Sequence, residues 1–328
     1  MRRPVVCVLG FAFAVAIVGM FARAPVAQTE DVLDACEPGR QEIEAAALPA
    51  VVEPGECPFD GRPIVDGPVG SFVPAPGVGV YAEALTTSGG QVLEVRRRAD
   101  GAVQIDHAGG ESDAAAEEGS LRLPGGAGEC SDRAYTDLSY SVASTLRYRF
   151  GVATTPREIS RPAARDAIRR AAVNVFSTTN DCRLGDRVPV ALRYDGNTAA
   201  RAQVGNDLCG KDDGRSVVSF GRLRPGVLAA TCTLFEEGSS YNEVTVSDVK
   251  VNYKDFKWTT KPNSKSCSRK FDLESVMTHE WGHTFGLGHV SERHHGYLTM
   301  SGGLNGPCQD SERTFGRGDV LALDGKYP

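Results

Sequence analysis

The sequence predicts an α+β fold: a twisted mixed sheet with three helices, preceded by a small β-containing region. Apolar residues recur at helical spacing from Ala164 to Phe176, and two further helices are expected across residues 273–285 and 315–327. Alternating and Val-rich runs lie before and between them. An acidic, Ala-rich and then Gly-rich stretch at 111–128 divides the chain, because nothing in it can build a core.

Residues 1–27 read as a signal peptide. Arg2 and Arg3 precede an apolar run over 5–21, and Ala22-Arg23-Ala24 offers a small-residue cleavage site. Cutting after Ala24 or after Ala27 both fit, and the run is close enough to spanning length that a retained anchor stays open. Export favours disulfides, and eight cysteines remain after Cys7 leaves with the leader. Cys36 and Cys57 form a local candidate pair, and Cys267 and Cys308 are placed to clamp the segment between them. The formal net charge is −6, which offers no general attraction to nucleic acid, and a soluble monomer is expected.

Residues 28–110 form a first region with enough chain for a small core of its own, an accessory or pro-region. Within it, residues 91–96 and 102–106 alternate around Ala99-Asp100-Gly101, a hairpin signal. Residues 111–128 are the linker, and 129–328 the second domain. There, 145–150 reads as a strand. Ser160 is placed to cap a helix opened by Arg161-Pro162, whose apolar face is Ala164, Ile168, Ala171, Ala172, Val175 and Phe176. A strand is expected over 188–192 despite Pro189, then a long loop over 195–215, then strands at 216–220, 226–231 and 243–252. Asp195, Asn197, Asp207, Asp212 and Asp213 in that loop are candidate calcium ligands.

The most informative stretch is His279-Glu280-Trp281-Gly282-His283-Thr284-Phe285-Gly286-Leu287-Gly288-His289. On a helix, His279 and His283 share one face and aim at one point. His289 reaches that point only if the chain turns first, and Gly286 is placed for the turn. Three imidazoles with one open position suit catalytic zinc, with Glu280 alongside as general base. Only six histidines occur in 328 residues, so a chance match has odds on the order of 1 in 100,000.

This pattern resembles the zinc signature of the metzincin metalloproteases. That family sets a methionine turn beneath the metal, and Tyr297-Leu298-Thr299-Met300-Ser301 follows the third histidine, with Met300 in that place. Residues 271–290 and 315–327, the latter with Asp319, Val320, Leu323 and Tyr327, resemble the matrixin branch. The likeness spans roughly 129–328 and is strong from about 217 onward. It implies a secreted zinc endopeptidase acting on protein or peptide substrates. His279, His283 and His289 would be the ligands, Glu280 the base, and Leu228, Ala229 and Ala230 a sheet edge to which substrate adds as a strand. The runner-up is a secreted zinc-containing binding protein without turnover.

Two departures from the family follow. Residues 185–240 contain no histidine, so a second, structural zinc is not expected. The prodomain cysteine motif is absent, Cys57-Pro58-Phe59-Asp60 being the nearest fragment, so Cys57 is expected in a disulfide. An inhibitory prosegment acting some other way stays open.

Overall fold

A computed structural model describes residues 35–108 and 127–328, apart from 38, 88, 186–187, 206–207, 239–240 and 305. The expected signal peptide and most of the expected linker lie outside the described residues. No helix among the described residues is long and apolar enough to cross a membrane.

The main sheet uses nine strands along its path. They are β1 (Val51–Val52), β2 (Val78–Thr86), β3 (Gln91–Arg97), β4 (Val103–Ala108), β5 (Leu146–Phe150), β6 (Leu192–Asn197), β7 (Ser216–Gly221), β8 (Val227–Glu236) and β9 (Asn242–Asn252). Their spatial order is β6-β5-β7-β9-β8-β2-β3-β4-β1. The half from β6 to β9 is parallel, and the half from β9 through β8 to β1 is antiparallel. Helices α1 (Arg161–Phe176), α2 (Leu273–Thr284) and α3 (Arg317–Lys326) complete a mixed α+β fold. The described fold is thus the expected class.

Local signals explain most elements. Ser160 Oγ accepts from the Ala163 amide at 3.2 Å, capping α1, whose buried face carries Ala164, Ile168, Ala171, Ala172 and Val175. The β3–β4 hairpin closes through Gly101 at φ +94°, a left-handed position that glycine takes without strain. The strand expected over 188–192 begins only at Leu192. Pro189, lacking an N–H, falls in the irregular segment before it.

Two expectations are corrected by the pairing. The outer edge of β8 is not free: Ala229, Ala230 and Thr231 are paired with Leu85, Ala84 and Glu83 of β2. Leu228, Ala229 and Ala230 therefore lie within the sheet, because an N-terminal strand has added to the edge they would present. The loop over 195–215 is also not all loop. Val204–Gly205 and Leu208–Cys209 join Ile43–Glu44, Pro63–Asp66 and Val69–Phe72 in a second, five-stranded sheet.

The first region consequently has no core to itself. One apolar cluster packs α1, α2 and α3 against the main sheet. The other mixes Ile43, Ile64, Leu93 and Val95 with Val204, Val227, Leu234 and Val246. Four disulfides pin these parts: Cys36–Cys57, Cys130–Cys182, Cys209–Cys232 and Cys267–Cys308. The first and last are the candidate pairs anticipated from the sequence. Cys209–Cys232 ties the small sheet to β8.

Asp248 is buried in β9, where it accepts a hydrogen bond from the Val217 amide at 2.9 Å. Burial pushes its carboxyl up to about 8. The folded chain then keeps the proton to higher pH than the unfolded chain does. Its stabilising contribution is complete below the usual aspartate range and is lost as pH rises towards 8. Asp248→Asn should remove this part of the slope, about 1.4 kcal/mol per pH unit at most. Urea midpoints at pH 5 and pH 8 should show the variant gaining on wild type as pH rises.

Candidate metal centre

The site is built on α2 and the turn that follows it. Asp272 caps α2, accepting from the Ser275 amide at 3.0 Å, and is gripped in turn by Arg313 at 2.7 and 2.8 Å. His279 and His283 stand one turn apart on its buried face. The helix ends at Thr284, and Gly286 at φ +85° reverses the chain. Leu287–Gly288 then pairs with Thr136–Asp137, bringing His289 back to the other two.

The three Nε2 atoms lie 3.0–3.1 Å apart. These contacts are not ordinary hydrogen bonds. His279 Nδ1 faces the Thr299 carbonyl at 2.7 Å, and His283 Nδ1 faces the Leu287 carbonyl at 2.8 Å. A carbonyl only accepts, so each of those Nδ1 atoms carries the proton and each Nε2 is a bare lone pair. Burial holds His279 down to about 4, and burial with mutual repulsion holds His283 and His289 well below the usual imidazole range. Neutral imidazoles with converging lone pairs repel one another unless a cation lies between them. The residues present therefore fit a metal ion, and backbone carbonyls orient the rings as outer-shell partners do.

Glu280 is fully buried beside the histidines. Thr231 Oγ1, on β8, donates to its Oε2, while Oε1 has no hydrogen-bond partner. Burial pushes its carboxyl up to about 7. Met300 lies under the helix, its Sδ packed against Gly282, where a side chain would have to displace it. The turn around Met300 is held from α3. Asp319 accepts from the Thr299, Met300 and Gly316 amides at 2.9, 3.3 and 2.9 Å. Burial pushes that carboxyl up to about 7, against the three N–H groups, which favour its ionised form. Asp319 thereby fixes the Thr299 carbonyl that sets the His279 tautomer.

The residues predicted for the site are thus brought together, except that the β8 edge is covered. The calcium candidates do not converge. Asp195 pairs with Arg147 and Arg149, Asp212 and Asp213 accept from the Gly214 and Arg215 amides, and Asp207 lies outside the described residues. Among the described residues, one group of three or more ligand-type side chains meets within 4.8 Å: Glu83, His279, His283 and His289. Sequence reasoning missed Glu83 and Thr231. Glu83 did leave a signal, as the one acid in the otherwise apolar run Val80-Tyr81-Ala82-Glu83-Ala84-Leu85.

A family model described as matrixin matches residues 233–300, which span the last four residues of β8, all of β9 and α2, and the three histidines through Met300. No curated protein matches the chain. Over that stretch the chain is similar to the matrixins, which supports a metallopeptidase in general.

Replacing Asp319 with Ala leaves three buried amides without their acceptor. Destabilisation by about 3 kcal/mol or more is expected, read by urea unfolding of metal-free protein. Asp319→Asn keeps one acceptor oxygen and should lose less.

Proposed function

With a matrixin-like chain as the premise, we propose that this protein is an exported zinc endopeptidase that hydrolyses peptide bonds. The observation that carries this reading is the meeting of three Nε2 atoms, two of them fixed as bare lone pairs, beside the buried Glu280 carboxylate. His279, His283 and His289 would hold the ion. Zinc held there supplies Lewis acidity, polarising a carbonyl and acidifying a water.

The chain's own groups supply the proton transfers. Thr231 fixes Glu280 Oε2, leaving Oε1 to take a proton from water and return it to the leaving amine nitrogen. Met300 forms an apolar floor below the metal ligands. The main chain of Leu228, Ala229 and Ala230 would pair with an extended substrate once their outer edge is released. Four disulfides support an exported chain. Residues 1–27 are proposed as the export signal, 28–110 as the accessory or pro-region, 111–128 as the connection and 129–328 as the peptidase, working as a monomer without nucleic acid.

One observation favours a second reading. His279, Glu280 and His283 are wholly buried, so the described state admits no peptide. A zinc-containing binding protein without turnover would look the same. The test is zinc content and cleavage of casein or a peptide library by the whole chain, before and after mild proteolysis, beside Glu280→Ala. The expected result is one zinc per chain in both proteins and cleavage lowered roughly 100-fold or more in the variant. Zinc bound without any cleavage, in either form of the wild type, would favour the binding protein.

A further inference from the structure

Glu83 sits near the middle of β2, and strand alternation decides where it points. Tyr81 and Leu85 belong to the core beneath α2, whereas Val80, Ala82 and Ala84 belong to the other core. Glu83 shares the face of Tyr81 and Leu85, and the pairing sets it directly opposite Thr231, the partner of Glu280. Its side chain is 0 % exposed and lies against the Glu280 carboxyl, and Oε1 is 3.6 Å from His289 Nε2. A buried carboxylate with no cation beside it is strongly unfavourable. Placed beside a second buried carboxylate it is more so. A divalent ion among the histidines removes both penalties, since the charges of Glu83 and Glu280 together balance it.

The same hairpin fills the cleft on its other side. Thr86 bridges to Gly303, just past the methionine turn. Gly90 lies flat against the third histidine, where an added Cβ would be 2.0 Å from His289 Cε1. The chain's own β2 is therefore hydrogen-bonded to β8 on one side and to β3 on the other over residues 78–84, and its end meets the segment after Met300 at Thr86. That is the position an extended substrate would take.

We propose that Glu83 is a resident fourth ligand of the metal, and that β2 holds the enzyme latent by occupying the substrate position until it is displaced. This rests on the zinc reading above. It needs no cysteine: the eight described cysteines are consumed in disulfides, and an oxygen ligand takes the place left open by three imidazoles.

The test uses the whole chain, wild type beside Glu83→Gln and Glu83→Ala. The Gln variant keeps the shape should the Ala variant fail to fold. Four readouts are taken: metal per chain, the visible d–d spectrum after cobalt(II) substitution, the rate of zinc loss to a chelator, and casein cleavage. The expected result is one metal in every protein, a changed cobalt spectrum in both variants, and zinc loss faster by about tenfold or more. Thermal unfolding should reverse sign: the Gln variant more stable than wild type without metal, and less stable with it. Casein cleavage should rise at least roughly fivefold over wild type when the ligand that helps hold β2 is lost. Superimposable spectra with equal zinc loss would overturn the Glu83 assignment and leave the three-histidine site standing. Wild type cutting casein as fast as the variants would overturn latency. Wild type that binds no metal would overturn the zinc reading itself, and this inference with it.

Discussion

The fold around the site depends on one electrostatic constraint. Three imidazole lone pairs are held about 3 Å apart, inside the protein, by groups that leave the rings little freedom to turn away. The supports come from distant parts of the chain. The Thr299 carbonyl fixes His279, and Asp319 on α3 fixes Thr299. The Leu287 carbonyl fixes His283, and the Leu287–Gly288 pairing with Thr136–Asp137 sets the approach of His289. Even the start of α2 is tied down, by Asp272 and Arg313. Order in these elements is what makes an otherwise repulsive arrangement persist, and a cation is what makes it favourable.

The second determinant is backbone hydrogen bonding across β8. A strand end that would otherwise offer unpaired N–H and C=O groups is satisfied by β2, so one sheet runs from β6 to β1. That continuity gives the N-terminal strands a structural role and a position in the cleft at once. The shared core of Ile43, Ile64, Leu93, Val204 and Leu234, with Cys209–Cys232 across it, means the two portions stabilise one another. Releasing β2 would expose the outer edge of β8 and part of that core together. The arrangement is therefore closed by many weak contacts rather than by a single bond.

Much of this was legible in the chain. Periodicity placed α1 and the Ser160 cap marked its start, the spacing of His279 and His283 placed α2, and Gly286 marked the turn after it. These are local signals, read from neighbours in sequence. Pro189 gave a local warning as well, and the strand begins beyond it. The long polar segment at 195–215 read as loop because strands of two residues carry no period, yet Val204–Gly205 and Leu208–Cys209 pair there.

The sequence by itself determined the chemistry of the centre. The types and spacing of His279, Glu280, His283 and His289 restrict the geometry through the pitch of a helix and one glycine turn. Residue type and local backbone preference were enough, because those residues span only eleven positions. What only the tertiary structure decided is which other residues surround that centre. Glu83 and Thr231 are 148 positions apart in the chain and face each other through a strand register. Asp319 and Thr299 meet through the packing of α3. Register and packing are set by sums of many small contacts between distant segments, and no spacing within the chain encodes them.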